Sequence, residues 1–543
     1  MNLISEPLAS QQPLAEALIS DFDAVRHLYT GSALETESWT ARAQWLHEHE
    51  DQRINRKALV EKLRLYNQQH NPASEVEDAL DLLERKETLV ISGGQQSGLF
   101  TGPLLVIYKA MTIIQAARQA SHELSIPVVP IFWIAGEDHD WEEVNHAYFL
   151  DSALDVERIR IVKDQLNKNS VGYTSVEKSE WRSALQQLAD LLPDSEHKQG
   201  LLHQLEDAVA KSATLTDCFA KLMGLWFGKY GLILLDSSDP ELRQLESEVF
   251  EQIIIKNDEL EVAYKKSAAQ LQEQGIDPQA DVAEDAANLF YIYEGQRLLL
   301  FKKEGRFEDR KGIISLSKEE LIEESQLHPE RFSNNVLTRP LMQDMLLPVL
   351  GTVLGDGEIA YWALTGQAFH VMGLQMPLLL PRMSFTIMEP KVQRHMKQYG
   401  FSFVEARQHF KELRQTWLTS QEPVPIDTRF AELKGDIEQL YTPLIQELGS
   451  MEKGLSRIGD ANLHRILQQV DYLRDKSAQA MEHKHEAVLR QWDRVQQSLF
   501  PQDSLQERVY NVFTYLNRYG PNWIDSMMEL PYLTAIEHRI IEA

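Results

Sequence analysis

Thr88-Leu-Val-Ile-Ser-Gly-Gly-Gln-Gln-Ser-Gly-Leu-Phe-Thr-Gly-Pro103 is the stretch whose reading decides the fold. It starts as an apolar run of strand length, 88–92, and breaks into a loop of small residues, 93–102. Pro103 then opens a helix over 104–119, because proline is tolerated at the first helical position. A second apolar run, Ile126-Pro-Val-Val-Pro-Ile-Phe-Trp-Ile134, follows and ends in Ala-Gly-Glu-Asp-His-Asp-Trp-Glu-Glu-Val-Asn-His146. Strand, glycine-rich turn, helix, strand is a βαβ unit. Its polar residues fall just past the strand ends, where open α/β sheets bind ligands.

Glycines at 93, 94, 98 and 102 permit positive φ and close approach of a ligand to the backbone. The helix behind them offers unpaired N–H groups and a positive dipole end. The spacing is neither a Walker A loop nor G-x-G-x-x-G, so the loop reads either as an anion cradle or as a plain tight turn. In the second loop Glu137, Asp138, His139, Asp140, Glu142, Glu143 and His146 crowd directly behind a buried strand. They read as a site, against the alternative of a solvated helix start whose acids favour the dipole.

The 543 residues suffice for two or more domains, with ordinary globular values of 43% hydrophobic and 25% charged residues. A formal net charge of −28 argues against nucleic acid or an anionic membrane as partner. The single cysteine, Cys218, allows no intrachain disulfide and fits a reducing compartment. It lies in an apolar helical pattern and reads as a core residue rather than a nucleophile. With no signal peptide and no long apolar run, a soluble, cytoplasmic protein is expected.

Residues 1–86 read as a helical layer. Beyond the βαβ unit come a strand at 156–162, a helix-rich insertion to about 230, and a buried strand at 230–236. Asp239 reads as an N-cap before Pro240, and Asp236 either lines the cleft or serves the loop. Short antiparallel strands are expected at 289–293, 296–301 and 311–315, with turns at Glu294-Gly295 and Glu304-Gly305. Arg339 reads as a carboxylate clamp or a helix-end ion pair. Glu358, Tyr361 and Trp362 follow a Gly-Asp-Gly turn and either face a ligand or start a helix with aromatic core residues. From 391 to 500 the apolar residues take helical spacing, which predicts a long antiparallel hairpin with its turn near 457–460, a coiled-coil arm suited to dimer contacts.

The segments 92–103 and Phe132-Trp-Ile-Ala-Gly-Glu-Asp-His-Asp-Trp141 closely resemble the cysteine-adding enzymes of bacillithiol biosynthesis, the BshC family of cysteine ligases. The resemblance recurs at Asn335-Val-Leu-Thr-Arg-Pro-Leu341, Gly357-Glu-Ile-Ala-Tyr-Trp362, Leu380-Pro-Arg-Met-Ser384, Leu505-Gln-Glu-Arg-Val-Tyr510 and Asn517-Arg-Tyr-Gly-Pro521. The expected fold is a Rossmann-like, doubly wound α/β core over 1–390, with inserted segments at about 165–230 and 275–330. A coiled-coil arm over 391–500 and a helical tail over 501–543 that packs back on the core complete it.

The resemblance implies a ligase that joins L-cysteine to the glucosamine amine of glucosaminyl malate, the last step toward bacillithiol, in a homodimer formed through the arm. Asp138, His139 and Asp140 would supply the base or hold the amine. The substrates would meet Gly94, Gln95, Gln96, Ser97, Gly98, Thr101, Gly102, Trp133, Glu137, Asn145, Arg339, Glu358 and Tyr361. The carboxyl-activating cofactor stays open, with ATP or ADP as candidate. A nucleotide would sit where the turn Arg382, Met383, Ser384 meets the arm, near Arg490, Glu507 and Tyr510. No metal-ligand spacing is present, so no metal is expected. Two rival readings are a metal-dependent hydrolase built on 137–146 and a non-enzymatic coiled-coil scaffold.

Overall fold

The computed structural model describes residues 2–6, 12–151, 153, 155–163, 169–421, 426–532 and 537–543. The expected start of the first insertion, near 165, lies outside the described residues. The chain forms two compact units, one of Leu3–Thr386 with Ser504–Ile541 and a smaller one built on Ile387–Asp503.

The larger unit is organised on five parallel strands: β1 (Leu89–Gln95), β2 (Val128–Ile134), β3 (Ile233–Asp236), β4 (Val349–Leu354) and β5 (Leu378–Pro381). Their residues are buried almost without exception, as expected of a parallel sheet covered on both faces. The spatial order is β5-β4-β1-β2-β3, the Rossmann-like half-sheet in which connections leave β1 in opposite directions. The crevice at that reversal opens at the carboxyl ends of β1 and β4. The helix Leu105–Leu124 packs on β1 and β2, with Ile113 against Gly93. The N-terminal layer (Thr36–Glu48, Arg56–His70, Ser74–Leu83) is helical as expected. Arg42 anchors it, donating to Asp344 at 2.5 Å and to the Val349 and Gln375 carbonyls.

The expected glycine loop begins three residues later than the sequence suggests. Gly93 and Gly94 continue β1, and of the four glycines only Gly102 takes a positive φ, 68°. Gly93 is small for a packing reason. A Cβ there would sit 2.8 Å from Ile113 and 2.9 Å from the Val353 carbonyl.

The second insertion is a five-stranded antiparallel sheet: Ala286–Tyr293, Gln296–Lys303, Arg306–Asp309, Ser315–Ser317 and, on the other edge, Phe332–Asn334. Positive φ at Glu294 (48°) and Gly295 (74°) makes the first hairpin turn as read. The strand expected at 311–315 is instead a turn between two shorter strands. The Asp309 carboxylate accepts the Lys311 and Ile314 N–H groups there and holds the chain out of extended form.

In the smaller unit the hairpin consists of Ile426–Met451 and Lys453–Lys484, tied by Lys434–Asp471 at 3.0 Å and Tyr441–Asn462 at 2.9 Å. Its turn is at Glu452, not near 457–460. Gly459 lies inside the second helix against Ile445, where a Cβ would come within 2.7 Å, so this glycine permits close helix approach rather than a turn. Leu473, on the second hairpin helix, is exposed. At the base of the unit Trp492 packs against Tyr399, Phe401 and Phe410. Among the described residues no helix is long and apolar enough to cross a membrane.

Gly93→Ala should overpack the β1–helix contact and cost about 1–3 kcal/mol. The check is the thermal midpoint of the purified variant, and a midpoint equal to wild type would refute this account of the glycine.

Candidate active site

A cavity of about 450 Å³ opens at the switch point, within the size range of small-molecule sites. Its floor is the end of β1 at Gly94 and Gln95 and the Trp133 ring on β2. One wall is the loop after β2, with Glu137, Asp138 and His139. The facing wall is Phe290 and Arg297 of the inserted sheet together with Asn334, Asn335 and Arg339. Glu358 and Tyr361, on the short helix after β4, close the end.

Glu137 is buried and accepts three hydrogen bonds on one oxygen: from Arg243 at 2.6 Å, Ser333 Oγ at 2.8 Å and the Asn334 N–H at 3.1 Å. Burial raises its pKa, but the Arg243 and Arg297 charges outweigh that and hold the carboxyl below its usual value. Arg243 also binds Glu246 at 2.6 Å. Burial pushes Glu246, whose Oε1 has no partner, up to about 7.

Asp138 takes the Gln96 amide at 2.5 Å and the His139 N–H at 2.7 Å. Burial again works against ionisation, yet hydrogen bonds from His139 and Gln96 and the Arg297 charge keep this carboxyl far below the ordinary range. Arg297 lies with its guanidinium 3.8 Å over the Phe290 ring and donates to His139 Nδ1 at 3.1 Å. At the crevice, buried Lys109 donates to the Gly94 carbonyl (2.8 Å), Gln95 Oε1 (3.1 Å) and Glu358 Oε2 (2.6 Å). Burial lowers its pKa, and Glu358 opposes that shift. Arg339 sits over Trp133 and donates to Gln343 at 3.1 Å. Among the described residues it forms no ion pair, and it lines the cavity beside Tyr361.

The fold thus brings Gly94, Gln95, Gln96, Trp133, Glu137, Asp138, His139, Arg339, Glu358 and Tyr361 to one cavity. Other candidates lie elsewhere. Asp140 is exposed and caps the short helix Trp141–Val144 by accepting the Glu143 N–H. Asn145 is buried beside His146. Ser97 bonds Thr216 at 2.8 Å, and Thr101 is fully buried. Gly98 and Gly102 pack against each other, and Asn511 Nδ2 donates to the Phe100 and Gly102 carbonyls. The helix N-terminus expected to cradle an anion is turned to the tail instead, where Leu104 N–H donates to the Tyr510 carbonyl at 2.9 Å.

The nucleotide candidates are also committed to protein. Arg382 and Glu507 form a buried ion pair at 2.6 Å, Met383 is buried, and Ser384 Oγ bonds His538. Tyr510 is buried, while Arg490 belongs to the smaller unit and pairs with Glu486 on its own helix. Asp236 serves its loop, holding the Ser238 N–H and hydroxyl at 2.9 Å, and Trp362 is core. Cys218 is buried, which pushes its thiol up to about 12, the state of a core residue. Among the described residues no three His, Cys, Asp or Glu side chains are grouped to hold a metal, so the hydrolase reading gains no ligand set.

Arg243, Arg297, Phe290, Asn334 and Lys109 were not singled out by sequence. Arg243 carried a signal. A cation in the first turn of the helix Pro240–Ile255 opposes the dipole and so calls for a carboxylate partner.

A parallel half-sheet with a polar, small-molecule-sized cavity at its switch point, joined in one chain to a helical hairpin unit, defines a Rossmann-like α/β protein of the ligand-processing kind. Residues 1–383 match the family model "Bacillithiol biosynthesis BshC, N-terminal Rossmann-like domain" and residues 385–543 match "Bacillithiol biosynthesis BshC, C-terminal coiled-coil domain". The chain belongs to the BshC family. It is 35% identical over 500 residues to "Putative cysteine ligase BshC" of Bacillus mycoides, covering 92% of this chain and 93% of that protein. The protein of the same name from Bacillus licheniformis is 32% identical over 543 residues, 100% of each chain. That from a Geobacillus species is 34% identical over 490 residues, 90% of each.

Burial raises Asp236 to about 7, above its unfolded value. A carboxyl shifted this way contributes stability that is fully present below the unfolded pKa, near ~3.9, and is lost as pH rises through the folded one. Asp236→Asn should therefore gain on wild type in thermal midpoint between about pH 5 and about pH 8. A difference between the two proteins that stays constant with pH would refute the shift.

Proposed function

We propose that the protein is a cytoplasmic ligase that forms the amide between the carboxyl group of L-cysteine and the glucosamine amine of glucosaminyl malate, yielding bacillithiol. Family membership supplies the reaction class. The observation that carries the site is one cavity lined both by the Arg339 guanidinium, which forms no ion pair among the described residues, and by the Asp138–His139 pair. Amide formation needs such opposed groups: a cation for a substrate carboxylate, an anion for an amine, and donors for the oxygen that gains charge.

In this reading Arg339 holds a carboxylate, and Asp138, kept ionised by its neighbours, accepts an N–H of the sugar amine. Trp133, Phe290 and Tyr361 supply apolar walls that shed water. A carboxylate is a poor electrophile, so the cysteine carboxyl enters activated, with ATP as the activating co-substrate. The C–N bond forms as the activating group leaves with its bonding pair and the amine passes one proton to the Asp138 carboxylate, which releases it to solvent. Asp140, exposed and engaged in capping, has no part in this step. Leu440, Met451 and Ile458, apolar and exposed on the hairpin, support a homodimer formed through the smaller unit.

The purified protein incubated with L-cysteine and glucosaminyl malate, with and without ATP and Mg²⁺, should give bacillithiol by mass spectrometry only with the nucleotide. Arg339→Ala should raise KM for the substrate whose carboxylate it holds by about tenfold to a hundredfold, the worth of one hydrogen-bonded charge. No product under any nucleotide, with neither substrate bound in calorimetry, would overturn the assignment.

A further inference from the structure

We infer that His139 acts in the cavity as a hydrogen-bond donor through Nε2–H, toward an acyl or carboxylate oxygen of the ligand. Arg297 is the positioning residue that fixes this tautomer. The inference rests on the proposed function for the identity of the ligand, but not for the state of the ring.

A guanidinium has five N–H donors and no acceptor. Arg297 Nη1 lies 3.1 Å from His139 Nδ1, so Nδ1 must offer its lone pair and the ring proton must sit on Nε2. A proton on Nδ1 would set two donors face to face at that distance. Asp138 Oδ1 lies farther away, 3.5 Å from Nδ1, and the closer Arg297 donor at 3.1 Å decides the assignment.

Arg297 cannot turn aside. Its Nε donates to Ser333 Oγ at 2.9 Å and its Nη2 to the Asn334 carbonyl at 2.6 Å. Its plane is stacked on Phe290, and its side chain is 7% exposed. The His139 ring lines the cavity with 36% of its side chain exposed, and among the described residues Nε2 has no protein partner. What the ring presents to a ligand is therefore an N–H. Such a group stabilises an oxygen that gains negative charge, and it cannot accept a proton from an attacking amine on a nitrogen that already carries one. The acceptor for the amine N–H is then the Asp138 carboxylate beside it.

The test is the ¹⁵N spectrum of the histidine-labelled full-length chain at neutral pH, with the His139 signals assigned by their loss in His139→Gln. The expected pattern is protonated Nε2 and bare Nδ1, before any substrate is added. A proton on Nδ1, or on both nitrogens, overturns the inference whether or not the protein makes bacillithiol. Arg297→Lys keeps a donor beside Nδ1 and should keep the tautomer. Arg297→Met should give mixed tautomers and lower kcat about a hundredfold with KM within about threefold, the signature of an interaction made in the transition state. The lysine variant should recover kcat to within about tenfold of wild type. Unchanged kcat in folded Arg297→Met, or a methionine variant that keeps the Nε2–H tautomer, would also overturn it. Should the methionine variant fail to fold, the wild-type and lysine spectra decide. Absence of turnover with a correct Nε2–H spectrum would count against the proposed substrates alone.

Discussion

The buried Glu137 carboxylate is the contact on which the cavity depends. Its single bonded oxygen gathers the helix Pro240–Ile255 through Arg243 and the edge strand Phe332–Asn334 through Ser333 and the Asn334 N–H. Its own backbone continues the loop after β2. Three segments far apart in sequence are thus fixed to one point of the wall. A carboxylate removed from water is costly unless it is paired and hydrogen-bonded, and two guanidiniums and two neutral donors meet that cost here. Glu246 is the complement. It lies against the same Arg243 with an oxygen that has no partner among the described residues, and burial raises it to about 7, so the two acids are driven apart rather than both being held ionised.

The same network explains why the chemistry falls at this end of the sheet. A half-sheet of order β5-β4-β1-β2-β3 leaves a crevice wherever the connections diverge, but a crevice alone specifies nothing. The antiparallel insertion brings specificity. Its strand Gln296–Lys303 carries Arg297 to His139, and its edge strand carries Ser333 and Asn334 to Glu137. The fold supplies a parallel platform with small residues at the β1 end, and the insertion supplies the wall that holds the polar loop in one conformation.

How much of this could be read in advance follows from where each signal resides. Strands buried on both faces are continuous apolar runs, so β1 and β2 and the helix between them were legible, as was the crowd of acids after Trp133. The end of β1 was not, because Gly93 and Gly94 look like loop residues and are strand residues kept small by Ile113 and the Val353 carbonyl. Gly459 misled in the same way, marking a helix contact with Ile445 rather than a turn. Ser97 through Gly102 share a glycine-rich pattern with ligand loops, but Ser97 pairs with Thr216 and the Phe100 and Gly102 carbonyls with Asn511, more than four hundred residues away, and no local pattern reveals such pairings. Arg297 is one polar residue at the start of a short strand, and its role exists only once the insertion folds over the loop.

The charges explain how so acidic a chain can still receive an anion. The formal balance of −28 describes the surface and the long-range field, while a ligand in the cavity meets individual groups. Lys109 is held by Glu358, Gln95 and the Gly94 carbonyl, and Arg243 is shared between Glu137 and Glu246. Arg297 is divided among His139, Ser333 and Asn334. Each of these cations is fixed by protein acceptors and shapes the wall rather than the ligand. Arg339 differs. It rests on Trp133, donates to the Gln343 side-chain oxygen and forms no ion pair among the described residues, beside a backbone bare at Gly94, where a Cβ would sit 3.5 Å from its Nη1. In the proposed reaction a substrate carboxylate meets Arg339 and the sugar amine meets the ionised Asp138 in that one cavity. In that proposal the polarity sets the direction in which a molecule carrying both an acid and an amine lies.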